Sequence, residues 1–222
     1  MIKRIIHLAD LHIRTYQLHD MYRTQFKLFL EQVKKQIVGL DHSEIRVVIA
    51  GDITHNKINI SNEQMMLTSW FIKEIADTIG KVIIIPGNHD FLENNLQRLD
   101  SITPIVELLN HKDITYFKNS QVQEDENIKW VVYSLYEHNT KPKYEKEDGL
   151  YVGLFHGVIQ GFSTDTGYEF DEGFDKINFH GCDIVLCGDI HKRAIVYLEN
   201  ETEIDESDLE IYLKNGWEIK EN

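Results

Sequence analysis

One local pattern, repeated along the chain, constrains this sequence more than anything else in it. Short runs of Ile, Val and Leu are each followed at once by Gly, Asp, Asn or His. Residues 5–8 run into Asp10-Leu11-His12, and residues 47–50 into Gly51-Asp52-Ile53-Thr54-His55. Residues 82–85 lead to Gly87-Asn88-His89-Asp90, residues 150–155 to His156-Gly157, and residues 184–187 to Gly188-Asp189-Ile190-His191. Apolar runs without alternation read as strands buried on both faces. Each polar cluster then lies just past the C-terminal end of a strand, where α/β sheets carry their sites. A single Asp-x-His or Gly-Asp is ordinary turn chemistry, but independent turns would not all carry ligand-type side chains.

Helical patterns separate the first runs. Tyr22, Phe26, Phe29, Leu30, Val33 and Ile37 recur at helical spacing and predict a helix over residues 20–38 that ends near Gly39. Ser61-Asn62-Glu63-Gln64 has the form of a capping box, opening a helix that buries Met65, Thr68, Ile72, Ile75 and Ile79 and stops at Gly80. This βαβαβ opening predicts an α/β fold. Residues 114–117, 129–133 and 150–155 are expected to begin a second sheet, with 184–187 and 194–198 closing the set and 139–148 forming a loop or short helix. The two sheets would pack face to face with helices outside. The expected division is one domain over residues 1–198 and a short acidic extension over 199–222, with a weak helix signal at 208–213.

Composition removes several classes. An apolar content of 42% excludes a disordered chain, and no run approaches the ~20 residues of a membrane helix. The N-terminus meets Asp10 and His12 too early for a signal peptide. Cys182 and Cys187, expected to face opposite sides of one strand, read as reduced thiols in a cytoplasm-like compartment. The 23 basic and 37 acidic residues give a net charge of −14, which argues against a freestanding nucleic-acid binder. Half of that excess, −7, falls in residues 194–222.

The donors at the strand ends are carboxylates, imidazoles and an amide, with no Cys among them. Such a set suits a hard or borderline divalent ion. Asp10 and His12, two residues apart on an extended segment, would share a face. One carboxylate, Asp52, would bridge two ions ~3.5–4 Å apart, the separation that clamps an in-line phosphoryl displacement and turns a bound water into hydroxide.

In order and spacing, these motifs resemble the signature of the calcineurin-like metallophosphoesterases, Gly-Asn-His-Asp being the most specific piece. The resemblance implies a four-layer αββα sandwich of two mixed sheets. It implies one ion held by Asp10, His12, Asp52 and His191 and a second by Asp52, Asn88, His156 and Asp189. Mn²⁺ would be the preferred metal, with Mg²⁺, Fe and Zn²⁺ as alternatives. His89 would protonate or stabilise the leaving oxygen, and Asp90 would orient its ring. Most of the family has His where this chain has Asp189, a change that favours a harder metal and puts the second ion in question.

Within the family, the chain is similar to the SbcD-type nuclease subunit of DNA double-strand-break repair and recombination. The His7-to-His12 opening before a Tyr- and Phe-containing helix, His55 three residues after Asp52, and Lys192-Arg193 after the last motif carry this likeness. It implies DNA as substrate, His55 as a residue that positions DNA, an SMC-like ATPase partner of the SbcC type, and no membrane association. The helix over 20–38 offers a surface for a homodimer, although core packing explains its apolar stripe equally well. Two other functions stay open: a small-molecule phosphodiesterase or phosphatase, and a non-catalytic interaction subunit. The 31 residues after His191 are too few for the nuclease family's capping domain. A compact phage or viral relative, a truncated product or another branch would each account for that. The expected location is the cytoplasm of a bacterial or virus-infected cell.

Overall fold

A computed structural model describes residues 1–137, 141–162 and 170–190 of the chain. The expected strand at 194–198, the helix at 208–213 and the boundary between 198 and 199 lie outside the described residues.

The chain alternates strands and helices in its first half. The elements are β1 (Arg4–Leu8), α1 (His19–Gln36), β2 (Ile45–Ala50), α2 (Asn62–Thr78), β3 (Lys81–Ile85), α3 (Thr103–Leu109) and β4 (Ile114–Tyr116). These four strands form an all-parallel sheet in the order β1-β2-β3-β4. A second sheet follows with β5 (Gln121–Asp125), β6 (Ile128–Tyr133), β7 (Leu150–His156) and β8 (Ile184–Gly188), again in chain order. Only the β5–β6 pair in it is antiparallel.

Alternation along each strand sorts side chains into separate cores. Val47, Ile49, Val82 and Ile84 face the helices, packing with Phe26, Leu30 and Val33 of α1 and Leu67, Phe71 and Ile72 of α2. Phe26 and Phe71 stack at 3.8 Å between centroids. The intervening residues Val48, Ala50, Ile83 and Ile85 point the other way and meet Trp130, Val132, Val152 and Leu154 between the sheets. The outer face of the second sheet buries Tyr133, Tyr151, Phe155 and Phe179. The two-sheet α/β sandwich is as expected, except that the first sheet is purely parallel and only the second is mixed. Its outermost layer, among the described residues, is a 3-10 turn at Lys176–Phe179 with its flanking loops.

Several expectations need correction. Residues 114–117 do not begin the second sheet, because β4 pairs in parallel with β3 of the first. The seven-residue α3 supplies the crossover that makes a parallel neighbour, and a helix this short leaves little periodicity to read. The polar, half-exposed β5 is an additional strand with no apolar run to announce it. The capping box is half made. Ser61 Oγ accepts from the Gln64 amide at 3.2 Å, but the Gln64 side chain donates to the Ile13 carbonyl at 2.6 Å instead of returning to the cap. Cys182 precedes β8, and both thiols are free and pack on the same outer core. The apolar stripe of α1 packs into the first core. No helix among the described residues is long and apolar enough to cross a membrane.

Arg46 locks the end of the sandwich remote from the motifs. Its side chain is fully buried, and Nε and Nη2 donate to the Asp125 carboxylate at 2.5 and 2.6 Å. Nη1 donates to the carbonyls of Ser43 and Ile45. Removing one partner of such a pair leaves the other uncompensated. Arg46→Ala is expected to cost about 3 kcal/mol in urea unfolding, the low end of the range because Asp125 is partly exposed. A loss below ~1 kcal/mol would show the pair to be a surface-like contact.

Candidate metal centre

The strands deliver their polar termini to one end of the sandwich. Past β1 the chain runs beside the segment that follows β2: Asp10 N donates to Gly51 O, His12 N to Asp52 O and Ile13 N to Ile53 O. His55 N closes the set on Ile13 O at 3.1 Å. This pairing brings the first two motifs together. Asp10 and His12 do not lie on an extended segment, however, since both have positive φ, 55° and 44°. Asp52 and Asp189 share that conformation. Four of the eight non-glycine residues with positive φ among the described residues are therefore expected ligands. Each such position costs of order 1–2 kcal/mol unless the surroundings impose it.

Asp52 is the hub. Its Oδ1 lies 3.3 Å from His156 Nε2 and its Oδ2 3.6 Å from His12 Nε2. The two oxygens thus face different imidazoles, an arrangement from which the carboxylate could bridge two ions. Ligand atoms of Asp10, Asp52 and His156 all lie within 4.8 Å of one another. Asp189 places Oδ1 4.0 Å from His156 Nε2, and its amide donates to Asp10 Oδ1 at 2.9 Å. Glycines make room for this packing. A Cβ on Gly87 would sit 2.2 Å from Asp52 Oδ1, and one on Gly51 2.4 Å from His156 Nδ1.

The donor set fits a divalent cation. Asp52 Oδ2, Asn88 Oδ1 and His156 Nε2 are buried and have no hydrogen-bond partner among the described residues. Buried polar atoms are almost always satisfied, so three unsatisfied donor atoms in neighbouring motifs point to a cation that would complete them. The hydrogen bonds behind the donors agree. His156 Nδ1 lies 2.7 Å from Ala50 O, which can only accept, so Nδ1 keeps its proton and Nε2 is the nitrogen that a metal could take once its own proton has left.

His12, His55 and His89 form a second cluster beside the carboxylates, again with ligand atoms within 4.8 Å. The His55 and His89 rings stack at 5.3 Å, and His12 meets both edge-on. His89 Nδ1 is 2.7 Å from the His55 carbonyl, which fixes its proton there and leaves Nε2 to exchange a proton with a ligand. Here the expected role of Asp90 is corrected. Its carboxylate accepts from the amides of Ile53, Thr54 and Gly87 and from the Thr54 hydroxyl, so it ties the second and third motif loops together. The His55 carbonyl, not Asp90, orients the His89 ring. His191 and Lys192-Arg193 lie outside the described residues.

Charge at the centre follows from burial and these contacts. Burial would raise the Asp52 carboxyl, but His156 and the His89 amide outweigh it and hold it below the usual carboxylate range. Burial would lower the His156 imidazole, but Asp52 outweighs it and lifts it to about 9. Asp90 is pushed up to about 6 by burial, and His55 is lowered by burial and then by Arg14. At neutral pH the metal-free protein therefore carries a proton on His156 that an ion must displace. Its folded-state value exceeds the ordinary 6.5, so the stability this proton brings is full below pH 6.5 and is lost as pH rises through about 9. Metal affinity is expected to run the opposite way, rising with pH up to about 9. Titration calorimetry in buffers of different ionisation enthalpy at pH 7 should report about one proton released on loading. Heats independent of buffer would contradict this.

A centre of carboxylates, imidazoles and one amide at the strand ends of a two-sheet α/β sandwich is what a metallophosphoesterase would need. The family model described as calcineurin-like phosphoesterase matches residues 3–193, and the chain belongs to that family. It is also 36% identical over 213 residues to uncharacterized protein R555 of Acanthamoeba polyphaga mimivirus. That match covers 90% of this chain but spans only 15% of the relative's length.

Proposed function

We propose that the chain is a metal-dependent phosphodiesterase that cleaves DNA, the nuclease subunit of a recombination or repair complex. The family's chemistry, metal-dependent phosphoester hydrolysis, supports the reaction class. The observation that carries the finer reading is the His55 ring, which stacks on His89 and contacts His12. It adds an imidazole to the His12 and His89 rings, next to the group expected to serve the leaving oxygen.

Asp10, His12, Asp52, Asn88, His156 and Asp189 would hold the ions, together with His191. Bound there, two divalent ions, preferably Mn²⁺, supply charge to neutralise the phosphoryl oxygens and acidity to make water a nucleophile. His89, pinned through Nδ1, presents Nε2 to give a proton to the departing oxygen. His55 holds that ring through its carbonyl, and its own imidazole would contact the substrate. Asp189 keeps an oxygen donor near His156, which favours a working second site over a non-catalytic platform.

The acidity of the chain supports a partner. A net charge of −14 gives little salt-sensitive grip on long DNA, and an SMC-like ATPase would supply it. The deciding experiment is Mn²⁺-dependent hydrolysis of linear double-stranded DNA, single-stranded DNA, nucleotides and phosphoproteins by the purified protein. Nucleotide release from DNA is expected. Cleavage of a nucleotide or phosphoprotein without any of DNA would replace this reading with the small-molecule or phosphatase one.

A further inference from the structure

Arg14 stands beside the centre in a segment that is unusually well pinned. Four consecutive carbonyls are each taken by a side chain: His12 O by Tyr22 Oη, Ile13 O by Gln64 Nε2, Arg14 O by His19 Nε2 and Thr15 O by Ser61 Oγ. Ile13 and Thr15 are buried on either side, whereas Arg14 is exposed. The Ile13 carbonyl also accepts from the His55 amide, so Arg14 emerges next to that histidine. Its guanidinium lies by the Tyr22 hydroxyl, and its positive charge is felt at the His55 imidazole, which it helps to hold neutral.

No carboxylate of a described residue pairs with this charge. Lys57, the cation two residues beyond His55, is by contrast bound to Glu93 at 2.9 Å. An arginine with no counter-charge among the described residues, on a rigid backbone at the edge of a phosphoester site, is pre-organised for an anion from outside. Its planar fork matches two phosphate oxygens at once.

We propose that Arg14 binds a substrate phosphate adjoining the one that reacts, so that the site engages a run of phosphodiesters in preference to an isolated one. The proposal rests on the DNA reading above and names the part of the substrate recognised outside the metal centre. An adjoining phosphate suits this residue better than the reacting one, because the ions and His89 already serve the latter.

The test is binding of a short fluorescent phosphorothioate oligo(dT), which resists cleavage, to the intact Mn²⁺-loaded protein over about 50–200 mM salt. Arg14→Ala is expected to weaken binding about tenfold or more. It should also lower the slope of log affinity against log salt by about 0.7, one phosphate contact on a single strand. Arg14→Lys should keep the slope but regain only part of the affinity, because it keeps the charge and loses the fork. Unchanged affinity and slope in Arg14→Ala, or no binding by the wild type, would overturn the proposal. If the wild type binds the oligonucleotide through Arg14 yet releases nothing from unmodified DNA, the nuclease reading fails while this contact stands.

Discussion

Asp52→Asn is expected to remove both the ions and the turnover. Asn has the shape of Asp, tolerates the left-handed backbone found here (φ 52°), and can still accept the His89 amide at the position of Oδ1. What disappears is the charge and the second anionic oxygen, the two properties a bridging ligand needs. Asp52→Ala would mix that loss with about 1–2 kcal/mol of backbone strain and is the poorer experiment. Metal content after dialysis against Mn²⁺ should fall to background, and hydrolysis should drop by at least about a thousandfold, beyond the loss of a single stabilising donor. A variant that kept its ions would move the bridge to another residue, and Asp10 would be the first to examine.

His89→Ala should separate the two effects. Its ring is held by the His55 carbonyl and stacked on the His55 ring, outside the Asp10–Asp52–His156 cluster. Ion content should therefore match the wild type while kcat on DNA falls by about 10²–10⁴-fold, the usual worth of a positioned proton donor. The loss should shrink with a p-nitrophenyl diester, whose leaving group departs without needing a proton. Equal loss on both substrates would mean that His89 acts on the phosphoryl group rather than on the leaving oxygen.

Much of the fold is legible in the amino-acid sequence. The long helices α1 and α2 carry enough turns for their apolar faces to show, and β1, β2, β3, β6, β7 and β8 show as mainly apolar runs, of which β2 is buried throughout and β3, β6 and β7 nearly so. Elements below that length are not legible: α3 offers too few turns, and β5 is a half-exposed edge strand with little apolar pattern. The sheet to which β4 belongs is hidden with α3, because a parallel partner needs a crossover and the short helix provides it. At the site, the side chains that hold others are hidden for a different reason. Tyr22 reads as one more apolar residue of α1, and nothing local shows that its hydroxyl reaches the His12 carbonyl. The same holds for Gln64, which reads as half of a capping box and instead braces Ile13.

The amino-acid sequence by itself determined which residues could be ligands, because Asp, Asn and His at the ends of apolar runs are a property of chain order. It also determined the α/β class, since runs of that kind need cover on both faces. Only the tertiary structure decided how those donors divide. Left-handed turns at Asp10, His12, Asp52 and Asp189 break the strand alternation from which side-chain direction would be inferred. The direction of each ligand is set by contacts across the sheet ends. Hence Asp52 came to face two histidines, Asp90 became a tie between loops, and the His89 ring fell under the control of a carbonyl 34 residues away in the chain. Residue type sets what a group can do chemically, but the partner it does it with is chosen by packing.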